Sequence, residues 1–363
     1  MSLNWLLVFL PIAIGLDWME VSPVLVFLTS ALAVVPLAGL MGDATEALAE
    51  YLGPTLGGLL NASLGNAPEI IIALFALHKG LIAMVKASLT GSIVGNLLFG
   101  LGLSAFAGGL RYRKQSFAPD VARMNGALLT LASFALLIPA IYRQSPVAEH
   151  PGGREISLEF SAILFLIYIA SVVFTLVTRR PVVGEAGVKA AKEEAGAGPA
   201  DTAEGAVGWS RNRALAILTA VTIGLAIMSE ILTGALEPAA QKLHFNPLVA
   251  GIFLLALVGN AAEMLNAVRF ARKDKMELAI GITVGASTQV GLLVAPVLVI
   301  FGAFMGQDMN LLFSRYEIWA VVLSVYTTRN IIYDGETNWL EGLMLIALYF
   351  MLAVGFYYLP TGQ

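Results

Sequence analysis

The feature that most constrains this sequence is its series of long apolar stretches, separated by mostly short polar loops. A helix needs about 20 mostly apolar residues to cross the hydrocarbon core of a bilayer. Stretches of this kind occur along the whole chain, at residues 3–16, 23–50, 55–78, 81–109, 119–142, 157–178, 213–235, 246–270, 276–305, 315–330 and 338–359. They predict an all-α membrane protein with 11 transmembrane helices, of which the first and shortest is a retained helix rather than a signal peptide.

The composition excludes several other classes of protein. Hydrophobic residues make up 58% of the chain and charged residues only 13%, against about 45–50% and 25% in soluble domains. There is no cysteine, which excludes disulfides and thiolate metal sites. The three histidines, His78, His150 and His244, lie outside or at the ends of the apolar stretches, which argues against a buried histidine centre. Since no basic stretch is interleaved with aromatic residues, we expect no nucleic-acid partner.

Lysine and arginine in the loops predict the orientation, because cytoplasmic loops are enriched in them. With the N-terminus inside, the inside loops hold 15 of these residues and the outside loops hold 5. We therefore expect a cytoplasmic N-terminus. The short loops and the absence of a long N-terminal extension favour the inner membrane of a prokaryotic cell.

A hydrophilic linker divides the chain into two halves of similar length. The predicted parts are an extra N-terminal helix, a first half, the cytoplasmic linker and a second half, at residues 1–20, 21–178, 179–212 and 213–363. Each half contains five predicted spans.

The two halves share a motif. Residues 65–69 read Gly-Asn-Ala-Pro-Glu, and residues 259–263 read Gly-Asn-Ala-Ala-Glu, at an offset of 194. The same offset aligns further small residues, among them Gly57 with Gly251 and Gly91 with Gly285. Because five spans separate the copies, they cross the membrane in opposite directions. Such inverted-topology repeats are typical of secondary transporters, whose substrate site lies near the midplane between the repeats.

The repeated motif predicts a cation site. Glu69 and Glu263 lie inside apolar spans, where a charge costs about 2.5–3.5 kcal/mol on insertion scales. Asn66 and Asn260 precede them by three residues, which places amide and carboxylate on one helix face. Carboxylate, amide and backbone oxygens together suit a hard cation such as Ca²⁺. The alternatives are neutral carboxyls with hydrogen bonds, and asparagines that only join helices.

Further polar residues lie in the spans that follow each motif. Span four contains Ser92 and Asn96, which share a helix face, and span nine contains Ser287 and Gln289. We expect them to line the site, with helix packing as the alternative. Pro68 lacks an N–H, and we expect the helix to break near it.

Two more acids lie inside spans, Glu46 in span two and Glu230 in span seven. Intramembrane acids are functional by default. We expect these two residues to act in proton or cation passage, or in gating.

Several segments resemble the cation/proton exchangers of the Ca²⁺/cation antiporter superfamily. They read GDATEALAEYLGPTLGGLLNASLGNAPEIIIALFAL, VKASLTGSIVGNLLFGLGLS, SEILTGALEP, GNAAEMLNAV and GASTQVGLLVAP. The likeness extends from about residue 36 to 330. It implies one extra helix followed by two inverted five-helix halves, and exchange of Ca²⁺ for H⁺ by alternating access. It implies no cofactor beyond the transported ions and no partner beyond the lipid bilayer, and it leaves the oligomeric state open.

The resemblance also implies residue roles. Glu69 and Glu263 match the central ligands, and Glu46 and Glu230 match acids on two mobile gating helices. The matching polar site positions are Asn66, Asn260, Ser92, Asn96, Ser287 and Gln289. Many members have His after the second glutamate, where this chain has Met264.

Other functions remain as alternatives. A Na⁺/Ca²⁺ antiporter or an antiporter for another divalent cation such as Mn²⁺ would share this fold. A cation channel is a further alternative, although a channel predicts a repeated pore loop rather than acids in spanning helices. An intramembrane enzyme is disfavoured, because the sequence has no HExxH motif, no GxGD-type aspartate pair and no Ser–His pair.

Overall fold

The structure is a computed structural model that describes residues 3–143, 153–178 and 209–359. Residues 179–208 of the predicted linker lie outside these ranges. Within the described ranges the chain is almost entirely helical.

The helices follow the predicted apolar spans. After a 3₁₀ helix at Leu3–Val8, the helices before the linker are α1 (Phe9–Trp18), α2 (Pro23–Leu64), α3 (Ala67–His78), α4 (Ile82–Val94), α5 (Leu101–Gly109), α6 (Pro119–Arg143) and α7 (Gly153–Thr178). Those after it are α8 (Arg211–Lys242), α9 (Pro247–Val249), α10 (Ala256–Ala271), α11 (Met276–Gln289), α12 (Ala295–Phe304), α13 (Arg315–Ile331) and α14 (Trp339–Tyr357). Helix α8 begins two residues before the predicted second half and continues seven residues beyond span seven.

Three π-helical segments join consecutive α-helices without interrupting the rod. They are π1 (Gly95–Gly100) between α4 and α5, π2 (Ala250–Leu255) between α9 and α10, and π3 (Val290–Val294) between α11 and α12. Two short strands, β1 (Gln115–Ser116) and β2 (Glu336–Thr337), pair antiparallel.

Seven of the described helical rods are long and apolar enough to cross a membrane. They are Pro23–Gly53, Ile82–Gly109, Gly153–Phe174, Arg211–Lys242, Pro247–Ala271, Met276–Phe304 and Trp339–Tyr357. The described part of the chain is therefore a multi-pass membrane protein. The count of 11 spans and the inverted relation of the halves stay predictions.

Helix α2 is sharply kinked at Gly53, where φ is 77° and ψ is 177°. This backbone conformation is open to glycine and strained for residues with a Cβ. Pro54 follows, and proline disfavours helical geometry in the residue before it. The kink thus separates predicted spans two and three, and residues 54–64 form a short helix of their own direction.

Helices α2 and α8 pack along each other over the longest contact in the fold, and α1 packs on α2. The two helices of this pair pack on different helices of the remaining bundle. Helix α8 packs on α3, which carries Glu69, whereas α2 packs on α10, which carries Glu263.

Loops from both halves are joined at one end of the bundle. Gln115 pairs with Thr337 in the two-stranded sheet, and its Nε2 donates to the Ala271 carbonyl at 2.8 Å. Tyr51 donates to the carbonyl of Trp209, which follows the linker, at 2.9 Å. We call this end the linker end.

At the opposite end, Lys86 of α4 reaches the loop before α13. Its Nζ donates to Asn310 Oδ1 at 2.9 Å and to the Leu312 carbonyl. These bonds compensate a lysine within a spanning helix. We call this end the far end.

Candidate functional site

The first copy of the motif lies at a break in the spanning helix, as Pro68 and Gly65 predict. Helix α2 ends at Leu64, and α3 begins at Ala67 with Asn66 as its N-cap residue. Glu69 lies in the first turn of α3 and is 8% exposed. The unsatisfied N–H groups at a helix N-terminus favour negative charge. The break therefore supplies a favourable electrostatic environment for this buried carboxylate.

Glu69 lies directly on the second copy of the motif. A Cβ atom built on Gly259 would lie 3.2 Å from Glu69 Cγ and 3.9 Å from its Oε1. Glu263 is four residues further along α10, one helical turn away on the same face. It is half-buried. The crossing of α3 and α10 thus brings both predicted central carboxylates into one region.

The asparagines of the two copies bond across the halves. Asn66 Nδ2 donates to Gln289 Oε1 in the second half. Asn260 Nδ2 donates to Ser92 Oγ at 2.8 Å, and Asn260 Oδ1 accepts from Asn96 Nδ2 at 2.7 Å. Each motif asparagine therefore contacts the polar cluster of the opposite half. Ser92 and Asn96 meet the same residue, as their shared helix face predicts.

Two oxygens in this network are buried and free to accept. Asn66 Oδ1 and Asn96 Oδ1 have no hydrogen-bond partner among the described residues. A buried polar atom without a partner is costly in free energy. Both are hard oxygen donors beside carboxylates, which is the ligand chemistry of Ca²⁺. In the described ranges no group of three or more His, Asp or Glu side chains is placed to hold a metal. The candidate site instead consists of two carboxylates and the amide oxygens near them.

A small cavity extends from this region toward the far end. Glu69, Ser92 and Gly259 line it together with apolar residues of α3 and π3. A tight crossing of α4 with π2 lies beside the cavity. A Cβ on Gly91 would lie 2.5 Å from both Cα and O of Ile252. Only glycine allows this approach.

The linker end differs. The corresponding segment of the first copy is residues 54–64, and in the described residues it shows no packing on α11 comparable to that of π2 on α4. Its Leu56 is 58% exposed. The two ends therefore differ in packing, since α4 and π2 pack closely at the far end and residues 54–64 lack comparable packing on α11 at the linker end.

Ser287 lies next to the site but is used differently. Its Oγ donates to the Thr283 carbonyl at 2.8 Å and to the Ile93 carbonyl at 3.5 Å. The hydroxyl therefore joins α11 to α4, as the packing alternative expects, and the role of Ser287 at the site stays a prediction.

The two predicted gating acids lie on α2 and α8, and not on the helices that carry Glu69 and Glu263. Glu46 is half-buried on α2 and faces Asp43, which in turn faces Arg269 at the linker end. Glu230 is exposed on α8, and its backbone carbonyl accepts from Lys79 Nζ at 2.8 Å. Glu46 is thus on the linker-end side of the crossing of α3 with α10, and Glu230 is on the far-end side.

Sequence reasoning missed the π-helical segments beside the site. Segment π1 begins next to Asn96, and π3 begins directly after Gln289. The offset of 194 maps π1 onto residues 289–294, almost the range of π3. Met264 packs into π1, with its Cε 3.2 Å from a Cβ built on Gly95. Glycines at both ends of π1 were the available signal.

We predict that Asn260→Ala destabilises the protein by about 1–3 kcal/mol, because it leaves buried partners of three hydrogen bonds unsatisfied. Thermal unfolding in detergent measures the effect. Asn266→Ala on the same helix is the control, since Asn266 only accepts from Arg269 at an exposed position. Equal unfolding temperatures of the two variants would contradict the network.

Comparison with known proteins gives a consistent result. The model of the family described as sodium/calcium exchanger protein matches residues 22–177 and 213–358. The chain is 41% identical to a Ca(2+)/H(+) antiporter of Synechocystis sp., over 98% of this chain and 97% of that one. It is 40% identical to the Ca(2+)/H(+) antiporter ChaA of Bacillus subtilis, over 92% of both chains. Among solved structures, native YfkE matches with a TM-score of 0.81 at 34% identity, covering 99% of this chain and 100% of that one.

Proposed function

The chain belongs to the sodium/calcium exchanger protein family, and on this premise we propose that it is a secondary active transporter that exchanges Ca²⁺ for H⁺ across a membrane. Two relatives named as Ca(2+)/H(+) antiporters are 41% and 40% identical over more than nine tenths of this chain. The helical rods long enough to span a bilayer agree with a multi-pass transporter.

The architecture proposed for it has 11 spans, one extra helix and two inverted five-helix halves joined by a cytoplasmic linker. The described helices overlap every predicted span. The matching positions of π1 and π3 at an offset of 194 support the repeat. The excess of Lys and Arg in the linker-end loops favours a cytoplasmic N-terminus, in the inner membrane of a prokaryotic cell.

Glu69 and Glu263 are the proposed central ligands of Ca²⁺. The strongest support is the contact of the Glu69 side chain with Gly259, which lies one helical turn before Glu263 on α10. We propose that further ligands come from the polar residues predicted to line the site, which are Asn66, Asn260, Asn96, Gln289, Ser92 and Ser287. Their oxygens complete a set of hard donors for an ion that takes six to eight oxygen ligands.

The same pair of carboxylates accounts for the exchange with protons. Two carboxylates neutralise one Ca²⁺, and two protons neutralise the same two carboxylates. Burial disfavours the charged form, so an apolar site accepts either loaded state better than a bare dianion. At least two H⁺ therefore move for each Ca²⁺, and the transporter needs no resident cofactor.

Alternating access follows from the helix packing. Helices α2 and α8 contact each other more than they contact the remaining helices, so they are the elements proposed to slide. Because residues 54–64 lack close packing on α11, we infer that in the present state Ca²⁺ or protons reach the central pair from the linker end. After the movement the far end opens and the linker end closes.

Reconstituted vesicles test this function. We expect an imposed pH gradient to drive Ca²⁺ uptake in the absence of Na⁺, with counterflow of protons recorded by an internal pH dye. Liposomes without protein are the control.

The same assay separates the alternatives. Uptake that requires a Na⁺ gradient would instead indicate Na⁺/Ca²⁺ exchange, and preferential uptake of Mn²⁺ would change the substrate. Unitary currents in a planar bilayer would indicate a channel and contradict an exchanger.

A further inference from the structure

Each of the two proposed gating helices carries a hydroxyl residue directly before its acid. Thr45 precedes Glu46 on α2, and Ser229 precedes Glu230 on α8. The side chain of Thr45 is 1% exposed and that of Ser229 is 0% exposed. Neither Oγ atom has a hydrogen-bond partner among the described residues. Each of the two helices thus has a buried side-chain hydroxyl directly before its glutamate.

This arrangement departs from the other buried hydroxyls of these helices. Ser30 Oγ on α2 donates to the Val26 carbonyl at 2.7 Å, and Thr233 Oγ1 on α8 donates to the Ser229 carbonyl at 2.7 Å. A helical Ser or Thr satisfies its hydroxyl readily in this way. Because an unsatisfied buried polar group is unfavourable, Thr45 and Ser229, which make no such bond, call for a partner other than the described protein atoms.

The positions of the two hydroxyls indicate that partner. Helix α8 packs on α3, the helix of Glu69, and the bond from Lys79 to the Glu230 carbonyl fixes their contact on the far side. Helix α2 packs on α10, the helix of Glu263, and Arg269 faces Asp43 on the linker side. Along α8, Ser229 is therefore on the far-end side of the central pair, next to the carbonyl that Lys79 binds. Along α2, Thr45 is on the linker-end side, next to the segment that carries Asp43.

We propose that Thr45 and Ser229 are transient oxygen ligands of the cation during its passage, one on each side of the central site. A Ca²⁺ ion that leaves its hydration shell must replace several of six to eight oxygens. Each gating acid supplies a carboxylate, and the adjacent hydroxyl adds a neutral oxygen whose lone pairs are unused. This inference rests on the proposed exchange function and extends it to two residues outside the central site.

The test compares variants that remove or retain the hydroxyl. Thr45→Val and Ser229→Ala remove it, whereas Thr45→Ser and Ser229→Thr retain it. Ca²⁺/H⁺ exchange is measured in vesicles with the full chain in one orientation, and Ca²⁺ is varied on one side at a time. We expect Thr45→Val to raise the half-saturating Ca²⁺ concentration at the linker end about ten-fold, the equivalent of about 1.4 kcal/mol. We expect Ser229→Ala to do the same at the far end, and both hydroxyl-retaining variants to restore it.

Thermal unfolding distinguishes this role from a structural one. Ser30→Ala and Thr233→Val, which remove hydroxyls bonded to backbone, are expected to lower the unfolding temperature with little change in half-saturation. Thr45→Val and Ser229→Ala are expected to leave the unfolding temperature unchanged or raise it, because no hydrogen bond is lost.

Two results overturn the inference. One is that Thr45→Val and Ser229→Ala exchange at the wild-type rate, with an unchanged half-saturating Ca²⁺ concentration on both sides of the membrane. The other is a loss of exchange in these variants that parallels a lowered unfolding temperature, since that pattern indicates a structural role. Wild-type protein that moves no Ca²⁺ against protons overturns the proposed function as well, so the two failures are distinguishable.

Discussion

Glu69→Gln and Glu263→Gln are each expected to abolish Ca²⁺-driven proton movement in vesicles. Glutamine keeps the shape of the side chain, but it has no negative charge to bind Ca²⁺ and no carboxyl group to carry a proton. Loss of one carboxylate about 4 Å from a divalent cation, at an effective dielectric constant of about 20, removes about 8 kcal/mol of Coulomb attraction. That energy corresponds to an affinity lower by about a million-fold. The variant also loses one of the two proton sites, so neither half of the exchange cycle proceeds.

Controls on the gating helices make this prediction specific. Glu50→Gln on α2 and Glu237→Gln on α8 change the same residue type at exposed positions, and we expect both to retain exchange. Folding is checked by thermal unfolding, where the two central variants are expected to resemble the wild type. Full exchange in either central variant would contradict its assignment as a central ligand.

The long apolar stretches predicted most of the fold because membrane burial imposes the length of each helix. The break at Gly65 was also predictable from Pro68, since proline cannot continue the preceding hydrogen-bond pattern. The glycines at both ends of π1 were the available signal for a π-helical segment, but they do not specify one, because a π turn adds one residue to a turn without a distinct residue signature. The sharp kink at Gly53 lies in what the sequence indicated as a loop between spans two and three.

The residues of the central site were predictable, but their bonds were not. Duplication of the motif identified Glu69 and Glu263, and periodicity placed Asn66 and Asn260 on the same faces. The bond from Asn66 to Gln289 depends on how far α11 is shifted along α3, which only tertiary packing determines. The unsatisfied hydroxyls of Thr45 and Ser229 are likewise invisible in the sequence, because side-chain direction decides them.

The asymmetry between the two ends gives the mechanism a structural basis. Gly91 and Gly251 lie in the closed crossing at the far end, and the offset of 194 aligns them with Gly285 and Gly57 near the linker end. If inverted repeats exchange conformations during transport, the second glycine pair closes the linker end in the opposite state. Helix α8 packs on π2, so we propose that its sliding releases the far-end crossing, which then acts as one of two alternating seals.

Gly91→Val is expected to slow exchange by about 10- to 100-fold. Its Cβ would lie 2.5 Å from Cα and O of Ile252 and 2.8 Å from Cβ of Ala256, and backbone atoms on a packed helix cannot yield as a side chain can. Overpacking of this kind typically costs about 1–3 kcal/mol, which here falls on the state closed at the far end. The protein then favours a state open at the far end, and the return to the state closed there becomes slower.

Accessibility of a cysteine shows whether this seal fails. The chain has no cysteine, so Ala73→Cys in the cavity beside Glu69 gives a single labelling site. We expect a membrane-impermeant thiol reagent at the far end to label it faster in the Gly91→Val background. Gly39→Ala is the matched control, because a Cβ at Gly39 meets nothing within 4 Å. Wild-type exchange and unchanged labelling in Gly91→Val would mean that the crossing is not a seal, because the state closed at the far end would tolerate a side chain there.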